Sequence, residues 1–334
     1  MSSHVAIERM NRRALLLTAC ASVLVAPLAA FAQPKVWRIG LLSGGPRPAD
    51  GSVPLALRQA LGELGYVDGK NVTYTGRWAE SKAERLPELA AELVNLPVDL
   101  MLTIGGPAAD AAKNATRTIP IVFVAPGDAE QTGLVASLAR PGGNLTGISD
   151  PATELSAKRL GILKEAFPSA KRVAVIWNAN DRAMTLRYGE VAKAARTLSV
   201  TIEPLEVRSA PDIDAALATM SRERPDAVFV VSDAMTNINR KRILEFAAKN
   251  QLPAMYEFGF YVQDGGLMSY GPNIDDMWAR AAVYVDKILK GARPGELPVE
   301  QPTRYYLLFN LKTAKTLNLA IPQPLLLRAD EVIQ

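Results

Sequence analysis

The chain has 334 residues, 49% of them hydrophobic and 22% charged, with a formal net charge of +4. Basic and acidic residues are mixed throughout, so the charge marks neither a nucleic-acid surface nor a membrane patch. The one cysteine, Cys20, and the one histidine, His4, both lie near the start, which excludes Cys-His and Ser-His-Asp catalysis and any histidine or cysteine metal site from the remainder.

Residues 1–32 read as an export signal. Arg9, Arg12 and Arg13 form a basic start, Ala14 to Ala30 is almost wholly apolar, and Ala30-Phe31-Ala32 makes a small-x-small cleavage site before Gln33. The apolar run is too short and too rich in small residues for a comfortable membrane span. Cleavage removes three arginines and one glutamate and leaves a charge of +2. Arg12-Arg13 permits twin-arginine export but lacks the surrounding polar consensus, so the route stays open. Leu17-Thr18-Ala19-Cys20 also fits a lipoprotein signal. The apolar run before Cys20 is short and continues past it, which argues against an anchor there.

Val36 to Leu42 reads as the first strand, closed by Ser43-Gly44-Gly45-Pro46. Leu57, Ala60, Leu61 and Leu64 make one stripe of a helix over Val53–Leu64, which Gly65 stops. Asn71–Trp78 alternates as a half-buried strand, and Lys82–Asn95 is the next helix. Leu100 to Ile104 is apolar apart from Thr103, which suits a strand buried on both faces of a parallel sheet. Gly105-Gly106 breaks that strand. Pro107 is favoured in a first helical turn because it has no N–H to lose, and an alanine-rich helix follows. Its free N–H groups point at the carboxyl end of the sheet, where open α/β sheets bind ligands and anions gain most. Ile119–Ala125 is a strand ending at Pro126-Gly127-Asp128, Thr132–Ala139 a helix, and Leu145–Ser149 a last strand. The alternation of β and α calls for a parallel sheet between helices.

The same grammar restarts near residue 150. Helices are expected over Glu154–Phe167, Thr185–Leu198, Ile213–Arg222 and Arg240–Asn250. Between them lie strands at Arg172–Trp177, ending at Asn178-Ala179-Asn180-Asp181, at Val200–Val207, and at Asp226–Val231, closed by Ser232-Asp233-Ala234. A short strand follows about Pro253-Ala254-Met255-Tyr256. Gly265–Pro272 is a strand fenced by glycines, and Asp275–Leu289 is a helix with Trp278, Ala282, Val285 and Leu289 on one face. Tyr305–Phe309 reads as a strand and Leu311–Leu317 as a short helix. This last segment is too short for a third domain and must complete the first two, so the chain crosses between lobes more than once. Such crossings make a hinge.

Several blocks together resemble one family: Gly65–Asn71 (GYVDGKN), Ile119–Val124 (IPIVFV), Arg140–Gly147 (RPGGNLTG), Gly265–Pro272 (GGLMSYGP), Leu289–Ala292 with Leu297–Val299, and Asn310–Lys315 (NLKTAK). They are similar to the ABC-transporter substrate-binding proteins of the tryptophan/tyrosine-binding type, over essentially all of residues 36–334. The resemblance implies a periplasmic-binding-protein fold of type I, an α/β architecture of two Rossmann-like lobes joined by three crossings near 148–151, 271–274 and 298–303. It places residues 33–149 with 272–299 in lobe 1 and residues 150–271 with 300–334 in lobe 2. It also implies a monomer that delivers a small organic solute, such as an aromatic amino acid or aromatic acid, to a membrane permease. The ATPase is then a separate chain, since no G-x-x-x-x-G-K-[ST] is present here. No cofactor, nucleic acid or covalent chemistry is expected.

The candidate ligand contacts sit where strands end. Ser43 and Gly44 follow the first strand, and Gly105, Gly106, Pro107 and Ala108 follow the third; glycine lets backbone N–H groups approach a carboxylate closely. Asp128, in a turn where the family commonly has proline in place of Ala129, is placed to accept from an ammonium group or to cap a helix. In the second lobe Asn178, Asn180 and Asp233 follow strands, with one of each turn's polar residues free to act as a cap. Tyr256 offers a flat face with a polar tip, and Glu257 either meets a ligand amine or forms an ion pair at the hinge. Phe258 and Phe260 read as core, and Trp78 and Tyr270 as packing residues near the cleft edge.

Two other classes compete with solute capture. An exported sensor docking to a membrane signalling protein has the same fold physics. An exported hydrolase would need paired carboxylates, such as Asp128 with Asp233, about 5–10 Å apart, a spacing that nothing in the sequence supplies. The leader reading makes its own prediction: intact-mass analysis of the exported protein should find a mature chain beginning at Gln33, and a lipid-modified start at Cys20 would overturn it.

Overall fold

The computed structural model describes residues 35–49, 51 and 53–334, so the export-signal and Cys20 readings lie outside the described residues. The first sheet contains β1 (Trp37–Ser43), β2 (Val72–Trp78), β3 (Leu100–Ile104), β4 (Ile121–Val124) and β5 (Leu145–Ile148). Its order is β2–β1–β3–β4–β5, with every pairing parallel. The second contains β6 (Arg172–Asn178), β7 (Thr201–Val207), β8 (Ala227–Val230), β9 (Ala254–Tyr256), β10 (Met268–Gly271), β11 (Tyr306–Asn310) and β12 (Glu331–Ile333). These run in the order β12–β11–β10–β9–β8–β6–β7. Only β10 and β11 pair antiparallel, so this sheet is mixed where a purely parallel one was expected.

Helices cover both faces of each sheet. In chain order they are α1 (Leu55–Glu63), α2 (Leu86–Val94), α3 (Gly106–Ala115), α4 (Ala152–Ala166), α5 (Arg182–Thr197), α6 (Ala210–Glu223), α7 (Ala234–Ile238), α8 (Arg240–Lys249), α9 (Gly259–Gln263), α10 (Ile274–Leu289), α11 (Leu311–Thr316) and α12 (Gln323–Arg328). The central strand β3 shows why the sheet is sandwiched. Leu100 and Leu102 pack with α1 and α10, while Met101 turns to the opposite core beside α2 and α3. Each such side chain, fully removed from water, contributes roughly 1.5–3 kcal/mol. The apolar stripe of α10 (Trp278, Ala282, Val285 and Leu289) is buried in the first of these cores.

The chain passes between the two sheets three times. It leaves β5 at Ile148 for α4, leaves β10 at Gly271 for α10, and runs from the turn at Pro294–Glu296 to β11. The first and third passages touch: the Glu300 N–H donates to the Gly147 carbonyl at 3.0 Å, and the Ser149 N–H donates to the Glu300 carbonyl at 2.9 Å.

One expected element is absent. Residues 132–139 form turns and no helix. Gly133 takes a left-handed φ of 76°, and the Gly133 and Leu134 carbonyls accept from Lys113 Nζ, both at 2.8 Å. The Thr132 hydroxyl is turned back on the Asp128 carbonyl, and the Glu130 carboxylate takes the Leu138 N–H. The segment's backbone groups are thus spent on side chains, a known competitor of helix. In the other direction, α7, α9, α12 and β12 were not foreseen; each is short and lacks a periodic signature.

Gly147 illustrates how closely β4 and β5 approach. Its φ is 151°, and a Cβ there would stand 2.1 Å from the Phe123 carbonyl oxygen and 2.7 Å from its nitrogen. No flexible side chain can yield. Gly147→Ala should therefore lower stability by roughly 2–5 kcal/mol; a urea midpoint unchanged from wild type would contradict this packing.

Candidate functional site

Parallel strands deliver their carboxyl ends to one edge of a sheet, and here the two edges face each other across a cavity of about 270 Å³. The first lobe lines it with Ser43 and Gly44 after β1, Ser81, Ile104, and the β3–α3 junction from Gly105 to Ala108. The second contributes Asn178 at the end of β6, Asp181 just before α5 and Arg187 on it, Ser232 and Asp233 after β8, and Met235 on α7. Phe258 and Phe260, after β9, and Ile274, the first residue of α10, close one end.

The two walls differ chemically. On the first lobe the chemistry is mostly backbone. Gly105 adopts a φ of 82°, and no side chain caps the first turn of α3. An uncapped helix start carries unsatisfied N–H groups and partial positive charge. On the second lobe it is carboxylate. Asp181 caps α5, its Oδ1 accepting from the Ala183 N–H at 2.9 Å, and is 4% exposed. Burial, reinforced by the charge of Asp233 and opposed by Arg187, pushes its carboxyl up to about 7. Asp233 caps α7, with Oδ1 accepting from the Thr236 N–H at 2.9 Å and Oδ2 from Asn178 Nδ2 at 2.5 Å.

Beneath this wall lies a buried charge network. Arg187 donates through Nη1 to Glu257 Oε2 at 2.6 Å and through Nη2 to Asp150 Oδ2 at 3.1 Å. Arg159 donates through Nη1 to Glu257 Oε1 at 3.3 Å and through Nε to the Tyr270 carbonyl at 2.6 Å. Asp150 Oδ1 in turn accepts from the Gly127 N–H at 3.2 Å. Burial works to lower the Arg187 pKa, but Glu257, Asp150, Asp128 and Asp181 outweigh it, and the shift is upward. The guanidinium is therefore a permanent cation. Its Nε and the Ser232 Oγ are buried without hydrogen-bond partners, and each belongs to a residue of the cavity lining.

The lobes touch around the cavity. Ser81 Oγ donates to the Ala234 carbonyl at 3.4 Å, and Arg182 Nη1 to the Thr132 carbonyl at 3.0 Å. A Cβ on Gly127 would meet the Ala183 methyl at 2.6 Å, and one on Gly106 would come within 3.7 Å of Asp181 Oδ1. This is a closed arrangement, with glycine at the points of closest approach.

Of the residues singled out from sequence, Ser43, Gly44, Gly105, Gly106, Pro107, Ala108, Asn178 and Asp233 line this cavity. The structure places the other four elsewhere. Asp128 is buried and caps α4, accepting through Oδ2 from the Thr153 N–H at 3.2 Å and from the Thr153 hydroxyl; the helix it caps belongs to the other lobe. Asn180 turns away to Arg208, donating to its carbonyl at 3.1 Å and accepting from its Nη1 at 3.2 Å. Tyr256 is stacked on Tyr261 with centroids 4.7 Å apart, inside the helix-covered core of the second sheet. Glu257 is spent on the two arginines, the ion-pair alternative. The hydrolase pairing of Asp128 with Asp233 is not assembled in the cavity. Among the described residues no cluster of three or more acidic, histidine or cysteine side chains is disposed to hold a metal.

Sequence reasoning missed Asp181, Arg187, Phe258 and Phe260 as cavity residues. A signal for Arg187 was present: it falls on the buried stripe Ala183, Met184, Arg187, Val191 and Ala195, where a charge needs a partner. The two phenylalanines read as core because a cavity wall and a core have the same composition.

The pattern of the ABC transporter substrate binding proteins matches residues 52–333. The chain belongs to that family. A tyrosine-binding protein of Clostridioides difficile (strain R20291) is 26% identical to this substrate-binding protein over 78% of the chain and 75% of its own length. A conserved domain protein from Vibrio cholerae superposes with a TM-score of 0.82 at 26% identity, covering 89% of this chain and 100% of that one. The ABC domain in complex with L-Trp from Streptococcus pneumonia does so with 0.81 at 25%, covering 90% and 100%. The fold is that of the type I periplasmic binding proteins, with two α/β lobes and three crossings.

Asp181 supplies a pH test. A carboxyl whose native pKa stands above its unfolded value withdraws stability as pH rises: the loss is absent below about pH 4 and complete above about pH 7, on the order of a few kcal/mol. Asp181→Asn keeps a capping side chain. In urea melts it should match wild type near pH 4 and exceed it by up to a few kcal/mol at pH 8; a difference independent of pH would mean that folding does not raise the Asp181 pKa.

Proposed function

We propose that this protein is the solute-capturing component of an ABC importer, closing on a single zwitterionic amino acid with an aromatic side chain. The observation that carries the reading is the pairing of opposite walls: an uncapped helix start on one lobe and two carboxylates on the other, in a cavity whose apolar lining includes Ile104, Met235, Phe258, Phe260 and Ile274. The α3 amides hold the carboxylate, Asp181 and Asp233 take the ammonium, and the apolar end takes the ring. A volume of about 270 Å³ lies just below the roughly 300–1,000 Å³ usual for ligand sites, which suits one amino acid better than a peptide. An aromatic acid without an amine would bring no positive charge to Asp181 and Asp233, whose mutual repulsion raises the Asp181 pKa. The tyrosine-binding and L-Trp-bound relatives support the same ligand class.

The remaining parts of the proposal follow from the family. The protein acts in the periplasm as a monomer and passes its solute to a membrane permease whose ATPase is a separate chain. Among the described residues no helix is long and apolar enough to cross a membrane. Closure rotates lobe 1 (33–149 with 272–299) against lobe 2 (150–271 with 300–334) about the three crossings.

Calorimetric titration tests the ligand. L-tyrosine and L-tryptophan should bind, with affinity rising roughly tenfold from pH 6 to pH 8 as Asp181 ionises. The amine-free analogue 3-(4-hydroxyphenyl)propionate should bind roughly 30-fold more weakly, the equivalent of one lost charge-assisted hydrogen bond of about 2 kcal/mol. Equal affinity for the acid and the amino acid would reject the ammonium assignment.

A further inference from the structure

A second chamber of about 200 Å³ adjoins the main cavity, and Phe258, Phe260 and Ile274 line both. The partition is therefore one layer of side chains thick. Phe258 and Phe260 stack with centroids 5.5 Å apart, and Phe260 also stacks on the buried Tyr261 at 5.0 Å. The Arg240 guanidinium lies 5.7 Å from the Phe260 ring centre. Gly259, between the two rings, is held so near β11 that a Cβ there would stand 3.0 Å from Leu308 Cδ2. The phenylalanines are thus fixed to the second lobe. Ile274, by contrast, begins α10, whose body lies in the core of the first lobe. The partition takes one side from each lobe and is complete only when the lobes meet.

Beyond it the chemistry changes. The chamber is lined by Gln263, Asn273, Asp275, Tyr306 and Glu331, and Asp275 and Glu331 are its charged lining residues. The nearest arginine over Tyr306, Arg304, lies 4.6 Å from that ring and is paired with Asp330 at 3.2 Å. A group entering here meets two carboxylates among neutral amide and hydroxyl groups that can donate or accept.

We infer that Phe258, Phe260 and Ile274 are a length filter read out at closure, and that the chamber behind them is a subsite for an amine-bearing extension of the solute, opened by cutting back Phe260. A solute that fits the main cavity lets the partition close. A longer one wedges between Ile274 and Phe260 and holds the lobes apart. The inference rests on the proposed function for the head group of the solute only.

The test crosses two heads with three tails. L-tyrosine and 3-(4-hydroxyphenyl)propionate, each free, O-propylated and O-(2-aminoethylated), are titrated against wild type and Phe260→Ala, with circular dichroism melts to establish folding. Wild type should bind free heads at least tenfold more tightly than tailed ones. Phe260→Ala should gain the aminoethyl tail by tenfold or more over its propyl counterpart, and adding Asp275→Asn with Glu331→Gln should erase that preference. Tailed solutes binding wild type as well as free ones, or Phe260→Ala gaining no tail on either head, overturns the filter. Equal gains for propyl and aminoethyl overturn the acidic subsite. Failure of tyrosine beside success of the amine-free head rejects the ammonium reading while the tails still report on the wall. Should Phe260→Ala not fold, Ile274→Ala opens the same partition from the other lobe and is held to the same outcomes.

Discussion

The guanidinium of Arg187 is the constraint through which the cavity, the hinge and the second sheet are tied together. It is 2% exposed and holds Glu257, just past β9, and Asp150, in the first crossing between the sheets. Asp150 holds the Gly127 amide of the first lobe. Breaking a buried ion pair by removing one partner costs roughly 3–5 kcal/mol, because the other charge is left without water. The network therefore tolerates few arrangements, and the one seen here fixes both the position of the cavity floor and the approach of the lobes. Arg159 extends it to the Tyr270 carbonyl at the second crossing.

This network also sets the electrostatics above it. Arg187 and Arg159 are matched in charge by Glu257, Asp150 and Asp128, and of the two only Arg187 reaches the cavity lining, with its Nε unpartnered. Asp181 and Asp233 face the cavity from the second lobe, each already committed to a helix cap. A carboxylate that caps a helix start is held by backbone N–H groups and keeps a defined direction. The first lobe offers the reverse, an α3 start with no carboxylate of its own. Under the proposed function, opposite polarity on two bodies that come together would favour the closed state for a zwitterion, since a ligand shifts such an equilibrium only by its differential contacts.

The strand-turn-helix units were legible because their physics is local. Leu100–Ile104, apolar but for Thr103, has the composition of a two-sided strand, and Gly105-Gly106-Pro107 has the chemistry of the turn that follows it. The cavity residues at those turns were legible for the same reason. Tyr256 was misread, and Glu257 was left between a ligand amine and an ion pair, because the end of a strand says nothing about which way the next side chains face; Tyr256 points to Tyr261 and Glu257 to two arginines some 70 and 98 positions away in sequence. The absent helix at 132–139 fails for a related reason, since the lysine that takes its carbonyls comes from α3.

By itself, then, the sequence determined the alternation of strands and helices, the amphipathic stripe of α10 and the glycine-rich turns, because each depends on residues within a few positions of one another. Which lobe each late segment joins, which carboxylates reach the cavity, and which aromatic rings become its wall were decided by tertiary structure. Those outcomes depend on charges and rings brought together over tens to hundreds of residues, where burial, and not local propensity, selects the partner.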